Sequence, residues 1–309
     1  MGLKDDLYLS RRTLAGFVAI GAAWATYFAQ MPVIKAHVGA SDGAYGAAVL
    51  VSSLGALAAM WLAPLFQRLF GPVAMTVGIM ITAFGMLGTG LAGTLFMLVI
   101  GLSLAAIGSG VVDVLVNARV ADNEARHSRS LMNLNHALYS FAYAGAALLT
   151  GALREAQVGT VWVFGLLMVL LCGLAWAARD QGPEQDEPDL SLVATAMPHA
   201  VVILVGLVVL TAFLAEAASE GWSALHLERT LGGTPGEGAL GPALLGLTMG
   251  VGRLFGHSLS RVMRDTQLMA LATLFSAGGI CLAGLAPTVQ VALLGFALGG
   301  LGISVVAPL

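Results

Sequence analysis

Charge is scarce in this sequence: Asp, Glu, Lys and Arg make up only 10% of 309 residues, against 58% hydrophobic ones. So few charges could not wet the surface of a soluble globule of this length. Runs of Lys or Arg are missing as well, and the formal net charge is −3, which argues against nucleic acid as a partner. Cysteine is limited to Cys172 and Cys281, far apart in apolar runs. Neither a disulfide framework nor a thiolate metal site is suggested, and both read as packing residues. No histidines fall at metal-ligand spacing, and no Ser/His/Asp or paired-carboxylate arrangement stands out, so neither an enzyme nor a metal or other cofactor is expected. The alternating ten-residue segments of a membrane barrel are absent too.

What is present is long apolar runs, with a mean hydropathy of +0.88. Backbone polar groups must be satisfied inside lipid, so such runs predict an all-α integral membrane protein. At about 20 apolar residues per crossing of a ~30 Å bilayer, ten spans are expected, near 13–34, 43–65, 73–92, 95–118, 131–153, 159–178, 199–221, 238–256, 268–286 and 288–309. The acidic, Pro-bearing stretch 179–197 divides an N-terminal half, 1–178, from a C-terminal part, 198–309. With the N-terminus cytoplasmic, eleven cations fall inside, including Arg68, Arg119, Arg126, Arg129, Arg253 and Arg261, and only Lys35, Arg154 and Arg229 outside.

A shift of 194 residues lays Gly101 on Gly295, Leu104 on Leu298, Gly108 on Gly302, Val111 on Val305, Val112 on Val306 and Leu115 on Leu309. That predicts a parallel repeat of six-helix halves. Under it the four C-terminal spans are part of an expected six, so the sequence reads as a piece of a twelve-helix protein and is expected to transport poorly by itself. Gly252 with Gly256, and Gly295 with Gly299, are small-xxx-small pairs suited to close helix packing.

Polar residues inside the spans mark candidate sites. A carboxylate near the bilayer centre costs roughly 2.5–3.5 kcal/mol on insertion scales, so an intramembrane acid normally faces a bundle interior or a wet cavity. Asp113 is such an acid, and Asn117 lies one helical turn further on the same face. Asp113 could exchange a proton or bind a cationic or hydroxylated ligand; the plainer reading is a structural pair with Arg119, Arg126 or Arg129. Downstream, His136 with Ser140 and Tyr139 with Tyr143 form a second polar stripe, beside Asn135. His136 could relay protons, or could equally be a packing residue. Trp24, Tyr27 and Gln30 on the first span suit a solute with an apolar face and hydroxyls, though core packing explains them as easily. Glu216 is the first candidate for proton coupling. Glu220, four residues on, reads as interfacial, with Trp222 as a headgroup anchor.

The six-plus-six pattern with an acidic central loop resembles the major facilitator superfamily. Within it, the spacing Asp113, Asn117, Glu124, Leu131-Met132, His136-Ala137, Ser140 is similar to the MosC-like and fucose-permease-like bacterial branch. The stretches Ala215–Trp222 and Met249–Gly256 add to that likeness. The loop after the second span keeps Arg68 and Gly71 of the superfamily's gating motif, but has Gln67 where Asp is usual and Pro72-Val73 where a basic pair is usual. The resemblance implies a secondary transporter in the bacterial inner membrane, moving a small polar, sugar-like solute with protons by alternating access. Arg68, Arg119, Glu124, Arg126, Arg253 and Arg261 are then gating or cytoplasmic-loop residues. An exporter of amphipathic compounds and a non-transporting receptor or scaffold remain as alternatives.

Overall fold

A computed structural model describes residues 3–179, 199–259 and 263–306. It contains ten α-helices, numbered here in chain order: α1 Leu3–His37, α2 Asp42–Phe70, α3 Ala74–Gly90, α4 Leu95–His127, α5 Met132–Glu155, α6 Thr160–Ala177, α7 His199–Leu225, α8 Pro235–Leu259, α9 Asp265–Gly284 and α10 Val289–Val306. Among the described residues there is no strand, so the class is all-α. Nearly all of the acidic segment 179–197 lies outside the described residues. Ten spans were expected; among the described residues six continuous helical stretches are long and apolar enough to cross a membrane by length and composition. One of the six, Asp42–Gly90, merges α2 with α3, and α5, with its Asn, His and Arg residues, is not among them.

Local chemistry sets the helix ends. Ser41 and Thr94 cap α2 and α4, each side-chain oxygen accepting a backbone N–H three residues on at 3.3 Å. At α8 a capping box operates: Thr234 Oγ1 accepts from Glu237 N at 3.2 Å and Glu237 Oε2 accepts from Thr234 N at 2.8 Å. Pro235 then stands at the first helical position, where its missing N–H costs nothing. The helix outlasts the apolar span expected near 95–118. α4 runs on to His127, supported by the Asp122–Arg126 pair at 2.8 Å. It stops at Ser128, whose φ of 51° is left-handed. Glu124 reaches from α4 to the next helix, its Oε1 accepting from Leu131 N and Met132 N, the latter at 2.8 Å, so it caps α5.

Helices α1–α6 share one core, in which Phe17, Tyr27, Met75, Leu98 and Phe164 are fully buried. Helices α8–α10 share a second, around Leu245, Met249 and Phe296. The two groups meet where α5 lies along α8 and where α1 touches α7 and α8. Outward-facing Trp61, Phe96, Trp162, Val169 and Trp176 are exposed, as lipid contact requires. Cys172 and Cys281 are exposed too, rather than packed inside.

The internal repeat is written into the packing. A methyl group on Gly85 would stand 2.3 Å from Ala105 N and 2.8 Å from Gly101 O; on Gly279 it would stand 2.3 Å from Gly299 N and 2.6 Å from Gly295 O. On Gly108 it would meet Thr82 N at 2.5 Å, and on Gly302 it would meet Ser276 N at 2.3 Å. Every pair in α3–α4 maps onto one in α9–α10 by the same shift of 194. Only glycine allows these backbones to approach so closely.

Candidate functional site

Between the two helix groups lies a cavity with two compartments. The larger, of about 520 Å³, is walled by one face of α1 (Ile20, Trp24, Tyr27, Phe28, Met31), by α2, by α4 as far as Asp113, and by Phe213, Ala217, Glu220 and Trp222 of α7. The smaller, of about 430 Å³, is walled by Phe17, Asn117, Asn133, His136, Glu216 and Arg253 among others. Ile20, Asp113, Tyr139 and Phe213 line both, so the compartments adjoin. Helical spacing explains the lining. On α7, positions 213, 216, 217 and 220 recur at three and four residues and share one face.

Most polar atoms on the walls of the larger compartment already serve one another. The Tyr27 and Tyr45 hydroxyls are 2.7 Å apart, Trp24 Nε1 donates to Ser109 Oγ at 3.2 Å, and Ser52 and Ser53 donate to carbonyls of their own helix. What remains facing the space is aromatic. Trp24 and Phe28 are stacked with ring centroids 5.8 Å apart, and Trp222 stands edge-on to Tyr45 at 6.4 Å. Asp113 and Glu220 are the exceptions. Glu220 is 9% exposed, and its Oε1 is buried with no hydrogen-bond partner among the described residues. The interfacial reading of Glu220 and Trp222 is therefore corrected: both line the cavity, because α7 turns that face toward α1 and α2.

The smaller compartment holds a connected polar chain. Asn117 Nδ2 donates to Asp113 O at 2.9 Å and to Asp113 Oδ1 at 3.2 Å, and Asn117 Oδ1 faces His136 Nε2 at 3.2 Å. A backbone carbonyl can only accept, which fixes the amide, and the amide oxygen then requires a proton on Nε2. His136 O accepts from Ser140 Oγ at 3.0 Å, and Ser140 Oγ in turn accepts from Arg253 Nη1. Arg253 Nη2 lies 3.7 Å from Glu216 Oε1. Helices α4, α5, α8 and α7 are thus joined through side chains.

Several sequence expectations land elsewhere. Asp113 opens to the cavity with Asn117 as its partner, as one of its two readings had it; in the other, Arg126 and Arg129 were candidate partners, and they pair instead with Asp122 and Asp6. Arg253 is not a loop residue: it is buried within α8, facing α5 and α7. Asn135 turns from the cavity into the α1–α5 contact, bonding Ser10 Oγ at 2.9 Å and accepting from Thr13 Oγ1 at 3.0 Å. Gln30, Ser140 and Tyr143 are fully buried rather than cavity-lining. Arg68, Arg119, Glu124 and Arg126 sit toward the end of the bundle that carries the N-terminus, and Arg261 lies outside the described residues. Among the described residues no three His, Cys, Asp or Glu side chains converge on a metal position.

At the opposite end the helix groups are clamped by pairs the sequence reading did not single out. Arg154, 5% exposed, donates to both carboxylate oxygens of Glu228 at 2.6 and 2.8 Å and to Ala29 O at 2.8 Å. Asp42 receives Arg229 through two bonds of 2.7 and 2.8 Å, and Lys35 at 2.7 Å. A π-helical turn, His226–Thr230, projects Glu228 and Arg229 toward α1, α2 and α5. Glu155 Oε1 accepts from Gly236 N at 2.8 Å, and the Thr234 side chain with this N–H holds the Glu155 carboxyl below its ordinary range. The available signal was charge: Lys35, Arg154 and Arg229 are the three cations assigned to one side, and each proves to be paired.

A sequence model of the Major Facilitator Superfamily matches residues 13–309. Similar proteins include the uncharacterized transporter y4wD of Sinorhizobium fredii, 27% identical over 97% of this chain and 80% of its own length. Another is the membrane protein MosC of Rhizobium meliloti, 25% identical over 93% of this chain and 70% of its own length. Among solved structures, a bacterial homologue of the human lysosomal transporter Spinster, inward-facing and unoccupied, superposes with a TM-score of 0.67 at 17% identity, covering 99% of this chain and 74% of that one. A D-xylose-proton symporter gives 0.62 at 16% identity, covering 96% and 79%. At such identities the structures speak for the fold.

Proposed function

We propose that this chain, which belongs to the major facilitator superfamily, is a proton-coupled secondary transporter of a small organic solute in a bacterial inner membrane, its N-terminus cytoplasmic. One observation carries the reading: a cavity between the two helix groups is lined by Asp113, Asn117 and His136 from one group and by Glu216 and Arg253 from the other. In this scheme a proton on Asp113 or Glu216 neutralises a charge that is costly away from water, and so changes the balance between states open to either side. His136, hydrogen-bonded to Asn117, links Asp113 to α5. Arg253 loses its counter-charge when Glu216 is protonated, which loosens the α7–α8 contact. In this scheme the clamp at Arg154 and Glu228 closes the outward end.

A polar solute fits the smaller compartment, where Asn133 and His136 offer hydrogen bonds. The aromatic walls of the larger one favour the second reading, an amphipathic compound, because they offer apolar area and few free donors. Proton movement in proteoliposomes tests the scheme. A solute-dependent pH change abolished by Glu216→Gln or Asp113→Asn supports coupled transport, whereas a change that survives both substitutions removes these carboxylates from it.

A further inference from the structure

Resting on the transporter reading, we propose that the aromatic compartment receives an organic cation: a protonated amine or quaternary ammonium on an apolar body of about ring size, with Glu220 as its counter-ion. Three acids reach the cavity, and among the described residues only Glu216 stands at ion-pair distance from a cation, 3.7 Å from the Arg253 guanidinium that Ser140 also holds. Asp113 is bonded by an amide; Glu220, beside the Tyr143 hydroxyl, has no cation at ion-pair distance among the described residues, and its Oε1 is buried without a hydrogen-bond partner. A carboxylate in such a place without a cation of its own needs either a proton or a visiting positive charge. The α1 wall supplies the other half of a cation site, since Trp24 and Phe28 line the same compartment and aromatic rings attract a positive charge through their quadrupoles.

Other ligand classes fit the compartment less well. An anion would meet Asp113 and Glu220 without a free cation in this compartment. A neutral polyol would find the hydroxyls of Tyr27, Tyr45, Ser52 and Ser53 and the Trp24 N–H already engaged, and would lose its own hydration without replacement. At about 520 Å³ the space holds a single-ring body with its charged group.

The test is equilibrium dialysis of the full chain in lipid nanodiscs against benzyltrimethylammonium, benzenesulfonate and xylitol, run beside proton movement in proteoliposomes. The cation is expected to bind at least about tenfold tighter than the other two, a difference worth ~1.4 kcal/mol. Glu220→Gln should remove that preference, Glu220→Asp should retain it, and Trp24→Leu should weaken the cation several-fold. Should Glu220→Gln fail to fold, Glu220→Asp and Trp24→Leu decide. Equal binding of all three probes, or unchanged cation binding in Glu220→Gln, overturns the proposal. Xylitol-driven proton movement without cation binding overturns the cation and leaves coupled transport standing. Cation binding that depends on Glu220, with no proton movement for any solute, does the reverse.

Discussion

Asn135 and Asp113 are both polar residues within apolar runs, and the difference between them lies in where their helices turn them. Asn135 makes three hydrogen bonds inside the α1–α5 contact, to Ser10, Thr13 and the Leu131 carbonyl. Asn135→Ala would leave Ser10 Oγ short of a partner away from water, while Thr13 keeps its bond to the Ser10 carbonyl, so reversible unfolding in detergent should show a loss of about 1–3 kcal/mol. Solute binding by the folded variant should be unchanged. The acid at 113 was legible as a cavity residue because its cost in lipid needs an explanation, and its one-turn spacing from Asn117 gave the pair directly. Asn135 was not separable from His136 in the same way, since adjacent residues differ by about 100° around a helix and only the packing of α1 decides which faces the core. Glu220 was misplaced for a related reason: nearness to the end of an apolar run suggested the interface, whereas α7 continues to Leu225 and keeps that face inward.

At the scale of elements, glycine spacing decides how the helices pack. Gly85→Ala would drive a methyl group to within 2.3 Å of the α4 backbone, and Gly279→Ala would do the same against α10. Each should cost about 1–3 kcal/mol through forced separation of the pair. Gly145→Ala, with nothing within 4 Å, should be neutral or slightly stabilising in the same unfolding assay. This close packing was readable from the repeat, because Gly101 and Gly108 align with Gly295 and Gly302. The length of α4 was not. Hydropathy falls at Arg119, but Ala, Arg and Glu are strong helix formers, Val120 still packs into the core, and an i,i+4 ion pair supports the helix on to His127.

For the whole molecule, the clamp at the end away from the N-terminus couples the two helix groups. Replacing Glu228 with Gln leaves the Arg154 guanidinium buried without its counter-charge, which costs several kcal/mol, about 3–5 when such a pair is broken. Spin labels placed across that end should therefore move apart in Glu228→Gln, and distances within α1–α6 should not. Acid should act in the same direction. Glu155 is held below its ordinary carboxylate range in the folded protein, so its contribution is present above the unfolded value and fades as the pH falls through the folded one. No sequence pattern shows which acid Arg154 meets, because Glu228 is 74 residues away and the π-helical turn that delivers it has no apolar signature.

Alternating exposure of the cavity is the central claim, and thiol labelling tests it most directly. With Cys172 and Cys281 replaced by alanine, a cysteine introduced by Ala217→Cys, on the cavity wall of α7, is treated with a membrane-impermeant reagent in vesicles of either orientation. The account predicts labelling from both sides, reduced by bound solute, and shifted toward the clamped side by Arg154→Met. Labelling from one side alone, whatever the solute, proton gradient or clamp variant, would mean a cavity that never changes sides, and would contradict transport.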